Sequence, residues 1–425
     1  MTFALGVVPV VLLLLGFPIF LVLLSAVSVA LIFFMNMPLA ALHQNLFGSI
    51  NAYALLAIPY FIYAGELMGR GSVARRLVDF VQDGVGSVRG SLGVTTVGVA
   101  TIFGAISGVS AAAVATIGRI MYPSMVNAGY PPSFAAGLIT AVGAIDIIIP
   151  PSIPMIVYGA AAQESVPRLY AAGIVPGLLI ALVIAAYVVW RAKRDGFGRG
   201  QPFHAARFWH STVRSLWALG APAIILGGIY GGVFSPTEAA AVACVYAAFV
   251  TMVIFRELSV ADVVEAAATT VRFTAQILVI VACAGVFAWL LTVNQVPATL
   301  VSWIKDLGIS WWQFLLVVNI LLLFVGCFLD PLSAILLLTP LLAPIAKALG
   351  IDSVHFGIVV MVNLAIGLFH PPFGINIFVA QSVLGIRLEV IYRGILPFVV
   401  LYLIVLALIT YVPAISLAGV WMLFD

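Results

Sequence analysis

The sequence predicts an all-α polytopic membrane protein with two halves of inverted topology, about ten spans and two re-entrant hairpins. Three observations predict it: an extreme composition, recurrent apolar runs, and proline and glycine positions that repeat between the halves. Hydrophobic residues make up 64% of the 425 residues and charged residues only 8%. A soluble domain has about 25% charged residues. The composition therefore excludes a soluble enzyme, a nucleic-acid-binding protein and a disordered chain, and the long apolar runs exclude an outer-membrane barrel.

Apolar runs that qualify as spans occur along most of the chain, because a bilayer core of about 30 Å needs about 20 helical residues. Tandem prolines interrupt two of the runs, at Pro150-Pro151 and Pro371-Pro372. Proline removes a backbone donor and breaks a helix, so we predict two broken spans. The predicted spans are 3–16, 18–36, 51–69, 132–163, 166–190, 215–232, 236–255, 271–292, 353–382 and 388–412.

Two further apolar regions, 91–127 and 311–349, are interrupted halfway by small and polar residues. The interruptions are Ser107-Gly108-Val109-Ser110 and Leu329-Asp330-Pro331-Leu332-Ser333. We predict that each region is a re-entrant hairpin with its tip at the interruption. The alternative is two full spans per region, and both alternatives give the rest of the chain the same orientation.

Basic residues set the predicted orientation, because short cytoplasmic loops are enriched in Lys and Arg. Loop 191–214 has six basic residues and a single acid, Asp195. With this loop in the cytoplasm, most of the 18 basic residues fall on the same side, and both termini fall on the opposite side. Three short amphipathic segments are interpreted either as helices in the interface plane or as ordinary solvated loop helices: 71–84, 259–270 and 297–308.

Backbone-shaping residues repeat at the 221-residue offset from Pro150 to Pro371. We predict a first repeat over 1–200 and a second over 215–425, with inverted topology because an odd number of crossings separates them. Chance matching between two apolar halves is the alternative. Inverted repeats with broken helices are typical of secondary transporters. The other matches at this offset are Pro123 with Pro344, Gly129 with Gly350, Ala144 with Ala365, Gly173 with Gly394, and Pro176 with Pro397.

Each repeat is predicted to contain scaffold spans, a hairpin, a broken span and a last span. In the first repeat these are 3–69, 91–127, 132–163 and 166–190, followed by the cytoplasmic loop 191–214. In the second repeat they are 215–292, 311–349, 353–382 and 388–412.

The hairpin tips and the broken spans carry the residues expected to bind ions and substrate. A proline break leaves backbone carbonyls unpaired, and carbonyl and hydroxyl oxygens suit a cation such as Na⁺. The half-helix beyond a break offers N–H groups to a carboxylate. We predict two symmetry-related cation sites, with Ser107 and Ser110 on the first tip and Asp330 and Ser333 on the second. Substrate contacts are expected from Gly108, Ser152, Asn363, His370 and Asn376.

Structural roles compete with these assignments. A lone serine in a membrane helix commonly bonds to its own helix backbone, and Asp330 could cap a helix. Asp146, one turn before the first break, could line the site or cap a helix, and His370 could be a structural histidine. Ser235-Pro236-Thr237-Glu238 has the spacing of a helix N-terminal cap.

Taken together, these motifs resemble the large membrane subunit of TRAP transporters, the DctM family. The resemblance covers essentially the whole chain. The stretches that carry it are Ile58-Pro-Tyr-Phe-Ile-Tyr-Ala-Gly-Glu-Leu-Met68, Gly104-Ala-Ile-Ser-Gly-Val-Ser110, Ile148-Ile-Pro-Pro-Ser152, Phe234-Ser-Pro-Thr-Glu-Ala-Ala240 and His370-Pro-Pro-Phe-Gly-Ile-Asn376.

The resemblance implies a secondary transporter of the bacterial inner membrane that imports organic acids, often C4-dicarboxylates or sialic acid, with a Na⁺ gradient. Symmetry indicates two or more Na⁺. The implied partners are a small DctQ-type membrane subunit, expected as a separate chain, and a periplasmic DctP-type substrate-binding protein. An elevator-type architecture is also implied. Backbone carbonyls of Gly143, Pro150, Gly367 and Pro371 would join the cation sites.

A free-standing Na⁺-coupled carboxylate transporter without a binding protein is the alternative function. A channel lined by the broken helices and an intramembrane enzyme belong to other classes. The sequence has no Walker motif, HExxH or CxxC, so neither ATP-driven pumping nor enzymatic activity is expected.

Overall fold

The computed structural model describes residues 6–35, 39–198, 200 and 202–424. Those residues form helices joined by turns, with no strand among them, which confirms the predicted all-α class. The two termini, predicted to be periplasmic, extend into residues 1–5 and 425, outside the described residues. Arg199, one of the basic residues of the predicted cytoplasmic loop, also lies outside them.

Ten α-helices come from the first half of the chain. They are α1 (Val8–Leu14), α2 (Ile19–Ala30), α3 (Leu39–Ile50), α4 (Ala57–Arg70), α5 (Val73–Val85), α6 (Ser91–Ser107), α7 (Ser110–Asn127), α8 (Pro132–Val142), α9 (Ile153–Ala162) and α10 (Val166–Asp195). A π-helical segment at Leu31–Met35 continues α2, and 3₁₀ segments occur at Tyr53–Leu56 and Gly143–Ile147.

Ten further α-helices come from the second half. They are α11 (Ala205–Tyr230), α12 (Pro236–Phe249), α13 (Val260–Val293), α14 (Val296–Asp306), α15 (Trp311–Gly326), α16 (Pro331–Ala348), α17 (Ser353–Gly367), α18 (Ile375–Leu384), α19 (Leu388–Tyr411) and α20 (Pro413–Phe424). A π-helical segment at Val250–Ile254 continues α12.

Among the described residues, six helices are each long and apolar enough to cross a membrane: α10, α11, α12 with its π-helical continuation, α13, α16 and α19. The pair α3 and α4, bent by 60°, would make a seventh span if it crosses as one unit. Most of the shorter apolar helices lie within the predicted hairpins and broken spans. The protein is therefore a multi-pass membrane protein, and the total of ten spans stays a prediction.

The predicted interruptions coincide with helix breaks. Helices α6 and α7 are separated at Gly108-Val109, and α15 and α16 at residues 327–330. Helix α8 gives way to a 3₁₀ turn and an irregular stretch before α9, and α17 is separated from α18 at 368–374. Both Pro-Pro bonds, Pro150-Pro151 and Pro371-Pro372, are cis.

Two local predictions meet different outcomes. The cap at Ser235 is confirmed, because its hydroxyl accepts from the Glu238 amide at 3.3 Å and the Glu238 carboxylate accepts from the Ser235 amide at 2.8 Å. The separate interfacial helix predicted at 259–270 is wrong, since these residues are the first turns of α13. A second capping box, Ser259 with Asp262, starts that helix, which contains no proline and continues without interruption to Val293. Helix α3 was not predicted.

The core of the described structure is formed by the two broken spans. Every residue in 134–159 and in 354–369 is buried. The second arm of each hairpin packs against the distal half-helix of the other half, α7 against α18 and α16 against α9. The first arms pack against the proximal segments, α6 against the 143–147 turn and α15 against α17. The hairpins therefore enclose the first break, whereas the second break leaves Pro372 and Phe373 exposed.

Two glycines let α8 and α19 approach with their backbones in contact. A Cβ atom on Gly394 would lie 1.9 Å from the Ser133 carbonyl oxygen, and one on Gly137 would lie 2.2 Å from the Gly394 carbonyl. Close backbone contact through small residues is a common means of helix association in membranes, where no hydrophobic force drives helices together. The last span of the second half is thereby fixed to the first broken span.

Gly394→Ala is expected to lower the Tm of the purified protein, because the added methyl meets backbone atoms that cannot rotate away. Overpacking of this kind costs about 1–3 kcal/mol. Gly227→Ala in α11 is the matched control, since a Cβ there meets nothing within 4 Å. That control should leave the Tm unchanged or raise it slightly. Equal Tm values for the two variants would contradict the close contact.

Helix α5 is held to the loop that follows α12. The Ser72 amide and hydroxyl both donate to the Glu257 carboxylate, the amide at 2.6 Å, and Arg76 forms an ion pair with it at 3.4 Å. The Arg76 guanidinium also lies 3.8 Å from the centre of the Phe255 ring. Partial burial on its own would raise the pKa of Glu257, but the hydrogen bonds from Ser72 and Arg76 outweigh it and hold the pKa below its ordinary value of 4.5.

The ionised form of Glu257 should therefore stabilise the fold above its unfolded-state pKa, and that stabilisation should disappear as pH falls through the lower folded-state pKa. We expect the Tm of the wild type to fall more steeply than that of Glu257→Gln as the pH is lowered from about 5.5 to about 3. Glu265→Gln is the control, because Glu265, which forms an ion pair with Arg70, is 71% exposed. Parallel profiles for the wild type and Glu257→Gln would contradict the assignment.

Candidate functional site

The first hairpin tip is a single tight turn against the first break. Helix α6 ends at Ser107, and Gly108 adopts a positive φ of 62°, where a side chain would be strained. A Cβ on Gly108 would also lie 3.3 Å from the Pro151 carbonyl oxygen. Glycine at this position therefore allows both the turn and the contact with the break.

The first break ends in a capped half-helix. The Ser152 hydroxyl donates to the Ile147 carbonyl at 2.6 Å and accepts from the Met155 amide at 3.4 Å. Ser152 is fully buried and is the N-cap of α9. Its hydroxyl thus fixes the geometry of the break, and its substrate contact stays a prediction.

Polar atoms from both halves converge beside the first tip. The Ser110 hydroxyl lies 2.8 Å from the Gly143 carbonyl oxygen, to which it donates. The Asn376 side-chain amide, from the second half, donates to Ser110 Oγ at 2.9 Å and lies 3.3 Å from the Thr140 carbonyl oxygen. This cluster, which we call the Ser110 junction, unites α7, the end of α8 and α18. Asn376 was predicted as a substrate contact, and its link to the first half was not anticipated.

A carboxylate lies next to this junction. Asp146 is fully buried, and its Oδ2 is 3.4 Å from Ser107 Oγ. Its Oδ1 has no hydrogen-bond partner among the described residues. The sequence placed Asp146 one turn before the break but did not rank it among the ligands. A single acid in an otherwise apolar segment was the available signal.

The second tip is a helix cap. The Asp330 carboxylate accepts from the Ser333 amide at 3.1 Å and from the Ser333 hydroxyl at 2.5 Å, at the start of α16. This is the capping role that the sequence offered as the alternative for Asp330. The carboxylate keeps free lone pairs in this arrangement, so a cation role for the pair is compatible with it and stays a prediction.

The second break is tied to the arm before the second tip. A Cβ on Gly367 would lie 2.7 Å from the Gly326 carbonyl oxygen, so α17 and α15 are in backbone contact. His370 Nδ1 lies 3.2 Å from Cys327 Sγ, and that thiol is 3.7 Å from the Pro371 carbonyl oxygen. His370 therefore has a structural partner beside the break.

Asn363 lies between helices instead of beside the break. Its amide donates to the side-chain oxygen of Asn319 at 2.9 Å, and Asn319 in turn donates to Thr410 Oγ1 at 3.0 Å. This chain of hydrogen bonds links α17, α15 and α19. Asn363 Oδ1 is buried with no partner among the described residues. Its substrate contact stays a prediction.

The donor set at the first tip and break consists of hydroxyl, carbonyl and carboxylate oxygens. Such ligands fit a hard cation. Within the described ranges there is no group of three or more His, Cys, Asp or Glu residues that could hold a metal ion. Among the described residues, the Gly143 carbonyl is the one predicted carbonyl ligand that accepts a hydrogen bond from a predicted hydroxyl ligand, that of Ser110.

Ser110→Ala and Asn376→Ala should each lower the Tm, because each leaves buried polar groups unpaired at a cost of about 1–3 kcal/mol. The double variant should lose less than the sum of the two, with a coupling of about 1 kcal/mol. The readout is the Tm of all four proteins in one detergent.

Ser124→Ala combined with Asn376→Ala is the control pair, because Ser124 is exposed and bonds only to its own helix at Ile120. These two effects should add. Additive losses for Ser110 and Asn376 would show that the Ser110 junction does not exist in solution.

Comparisons with known proteins agree on one class. A family model described as "Tripartite ATP-independent periplasmic transporter, DctM component" matches residues 7–415. The C4-dicarboxylate TRAP transporter large permease protein DctM of Pseudomonas aeruginosa is 45% identical over 377 residues, 88% of each chain. The isethionate TRAP transporter permease protein DctMQ of Oleidesulfovibrio alaskensis is 42% identical over 90% of this chain and 60% of its own length.

A solved structure resembles the fold at low sequence identity. The YdaH transporter of Alcanivorax borkumensis superposes with a TM-score of 0.66 and 15% identity, over 98% of each chain. At that identity the likeness concerns the fold alone.

Proposed function

The chain belongs to the DctM family, the large permease component of tripartite ATP-independent periplasmic transporters, and we propose that it imports small organic acids by symport with Na⁺. The proposed substrates are C4-dicarboxylates or a related carboxylate such as sialic acid. The observation that carries the proposal is the family match over residues 7–415, together with an oxygen-lined tip and break inside that range.

The Na⁺ part of the proposal is supported by the ligands at the two tips. The Ser110 hydroxyl and Gly143 carbonyl already lie 2.8 Å apart, and Ser107 is buried beside them. Pro150 would add a carbonyl there. In the second half, Asp330, Ser333 and the carbonyls of Gly367 and Pro371 would form the other site. A bound Na⁺ would supply positive charge between a tip and a break, and we propose two or more such ions.

The substrate part is supported by the half-helices beyond the breaks. Helix α9 begins at a buried position next to Ser152, and α18 begins at the exposed Ile375, which is followed by the fully buried Asn376. The N-terminus of a helix favours an anion. Gly108, Asn363 and His370 complete the proposed pocket. The two relatives named above carry names that refer to C4-dicarboxylates and to isethionate, which are both anions.

The partners are proposed from the family. Its description names a tripartite system, so we propose a small DctQ-type membrane subunit and a periplasmic DctP-type binding protein as partners in a bacterial inner membrane. A relative that combines both membrane components, DctMQ, is longer than this chain. Within this assembly the hairpins and broken spans would move as an elevator.

The proposal is tested by uptake into proteoliposomes under an inward Na⁺ gradient, with choline in place of Na⁺ as the control. Succinate and sialic acid would be offered to the chain alone, and to the chain with its small subunit and a loaded binding protein. Uptake only with both partners and Na⁺ is the expected result. Saturable uptake by the chain alone would favour a free-standing transporter, and flux without saturation would favour a channel.

Ser107→Ala and Asp330→Ala should raise the Na⁺ concentration for half-maximal uptake by about tenfold or more, equivalent to about 1.4 kcal/mol. The Tm of Ser107→Ala should change little, whereas Asp330→Ala also removes the N-cap of α16, a loss of about 1 kcal/mol, so its ion-binding effect is read from the Na⁺ midpoint. Ser302→Ala and Asp306→Ala, on exposed positions of α14, are the matched controls. Wild-type Na⁺ dependence in both test variants would remove the support for these ligands.

A further inference from the structure

Asp146 is a buried acid whose charge is not balanced by any neighbour in the described structure. It is 0% exposed, and none of the ion pairs found among the described residues involves it. Its Oδ1 has no partner, and its Oδ2 is 3.4 Å from Ser107 Oγ. An isolated buried carboxylate costs several kcal/mol, so a compensating positive charge is expected beside it.

The repeat shows where the matching acid lies in the other half. At the 221-residue offset Asp146 corresponds to Gly367, and Asp330 corresponds to Val109 on the first tip. The first half therefore has an acid at its break and none on its tip. The second half has an acid on its tip and a glycine at the matching position of its break. Each half carries one carboxylate, on the break in the first half and on the tip in the second.

Contacts of the glycines support this correspondence. A Cβ on Gly104, in the first arm of hairpin one, would lie 2.8 Å from Asp146 Oδ1. A Cβ on Gly326, in the first arm of hairpin two, would lie 3.2 Å from the Gly367 Cα. The first arm of each hairpin thus places a glycine against the same position of its break. That position is Asp146 in the first half and Gly367 in the second.

We infer that Asp146 is a charged ligand for a monovalent cation in the first half, acting with Ser107, Ser110 and the Gly143 carbonyl. The inference rests on the proposed Na⁺ coupling and adds a ligand to that site. The remaining ligands are neutral, so one carboxylate balances one monovalent ion. The Ser107 hydroxyl lies 3.4 Å from the carboxylate and can donate to it.

The test is the Tm of the purified chain in detergent as NaCl replaces choline chloride at constant ionic strength. Asp146→Asn keeps the shape and removes the charge. We expect the wild type to be stabilised by Na⁺, and Asp146→Asn to need about tenfold more Na⁺ for the same shift. Without Na⁺, Asp146→Asn should be at least as stable as the wild type, because an uncompensated buried charge has been removed.

Two results would overturn the inference. An Asp146→Asn protein with the wild-type Na⁺ response would mean that the acid is protonated or distant from the ion. If Asp146→Asn is less stable at every Na⁺ concentration but the Na⁺ concentration for half-maximal stabilisation is unchanged, Asp146 acts as a cap of the tip. Asp146→Gly, which copies Gly367, repeats the test if the asparagine variant does not fold, and binding of radioactive sodium gives a second readout.

Asp330→Asn separates this inference from the proposed function. If the wild type shows no Na⁺ response, the Na⁺ coupling and the inference both fail. The other case is a wild type whose Tm rises with Na⁺, an Asp330→Asn protein with a weaker Na⁺ response and an Asp146→Asn protein with the full response. In that case only the role of Asp146 fails.

Discussion

The structure depends on one constraint, that irregular backbone at membrane depth has to be shielded from lipid. An unpaired peptide group in hydrocarbon costs several kcal/mol, and both Pro-Pro breaks remove helical hydrogen bonds. The chain meets the constraint fully at the first break, where every residue of 134–159 is buried. At the second break the buried segment 354–369 ends before the prolines, and Pro372 and Phe373 are exposed. The hairpins supply the cover, because each second arm packs on the distal half-helix of the other half. The breaks, the tips and the exchange of arms are therefore parts of one arrangement.

The same shielding brings polar groups from distant parts of the sequence into contact. Asn376 belongs to the second half, yet its amide lies 2.9 Å from Ser110 Oγ in the first. Because α7 and α18 must cover each other, any polar side chain on their shared face needs a partner there. Gly137 and Gly394 provide a second link between the halves through backbone contact. The core thus behaves as one body with contributions from both halves.

Sequence reasoning succeeded where a residue acts on its own backbone. Pro150 and Pro371 locate the breaks, Gly108 locates a tip, and Ser235 with Glu238 forms the cap that its spacing predicts. It failed where contact depends on the fold. Nothing in the spacing of Asn363 indicates its partner Asn319, and nothing in the spacing of Asn376 indicates its partner Ser110. The continuity of α13 was missed because its charged first turns look like an interfacial segment, although no breaking residue separates them from the span.

The exchanged positions of the acids have a consequence for a transporter that works as proposed. A buried carboxylate without a counter-ion makes the core charged, and moving that charge through a low-dielectric region is costly. Asp146 is fully buried and Asp330 is half-buried, and one monovalent cation per acid would neutralise both. The core could then cross with both sites filled and would be held back with either site empty. Coupling of substrate movement to Na⁺ would then follow from charge balance alone. It would not matter that one acid lies on a break and the other on a tip, because the free energy of moving the core depends on its net charge.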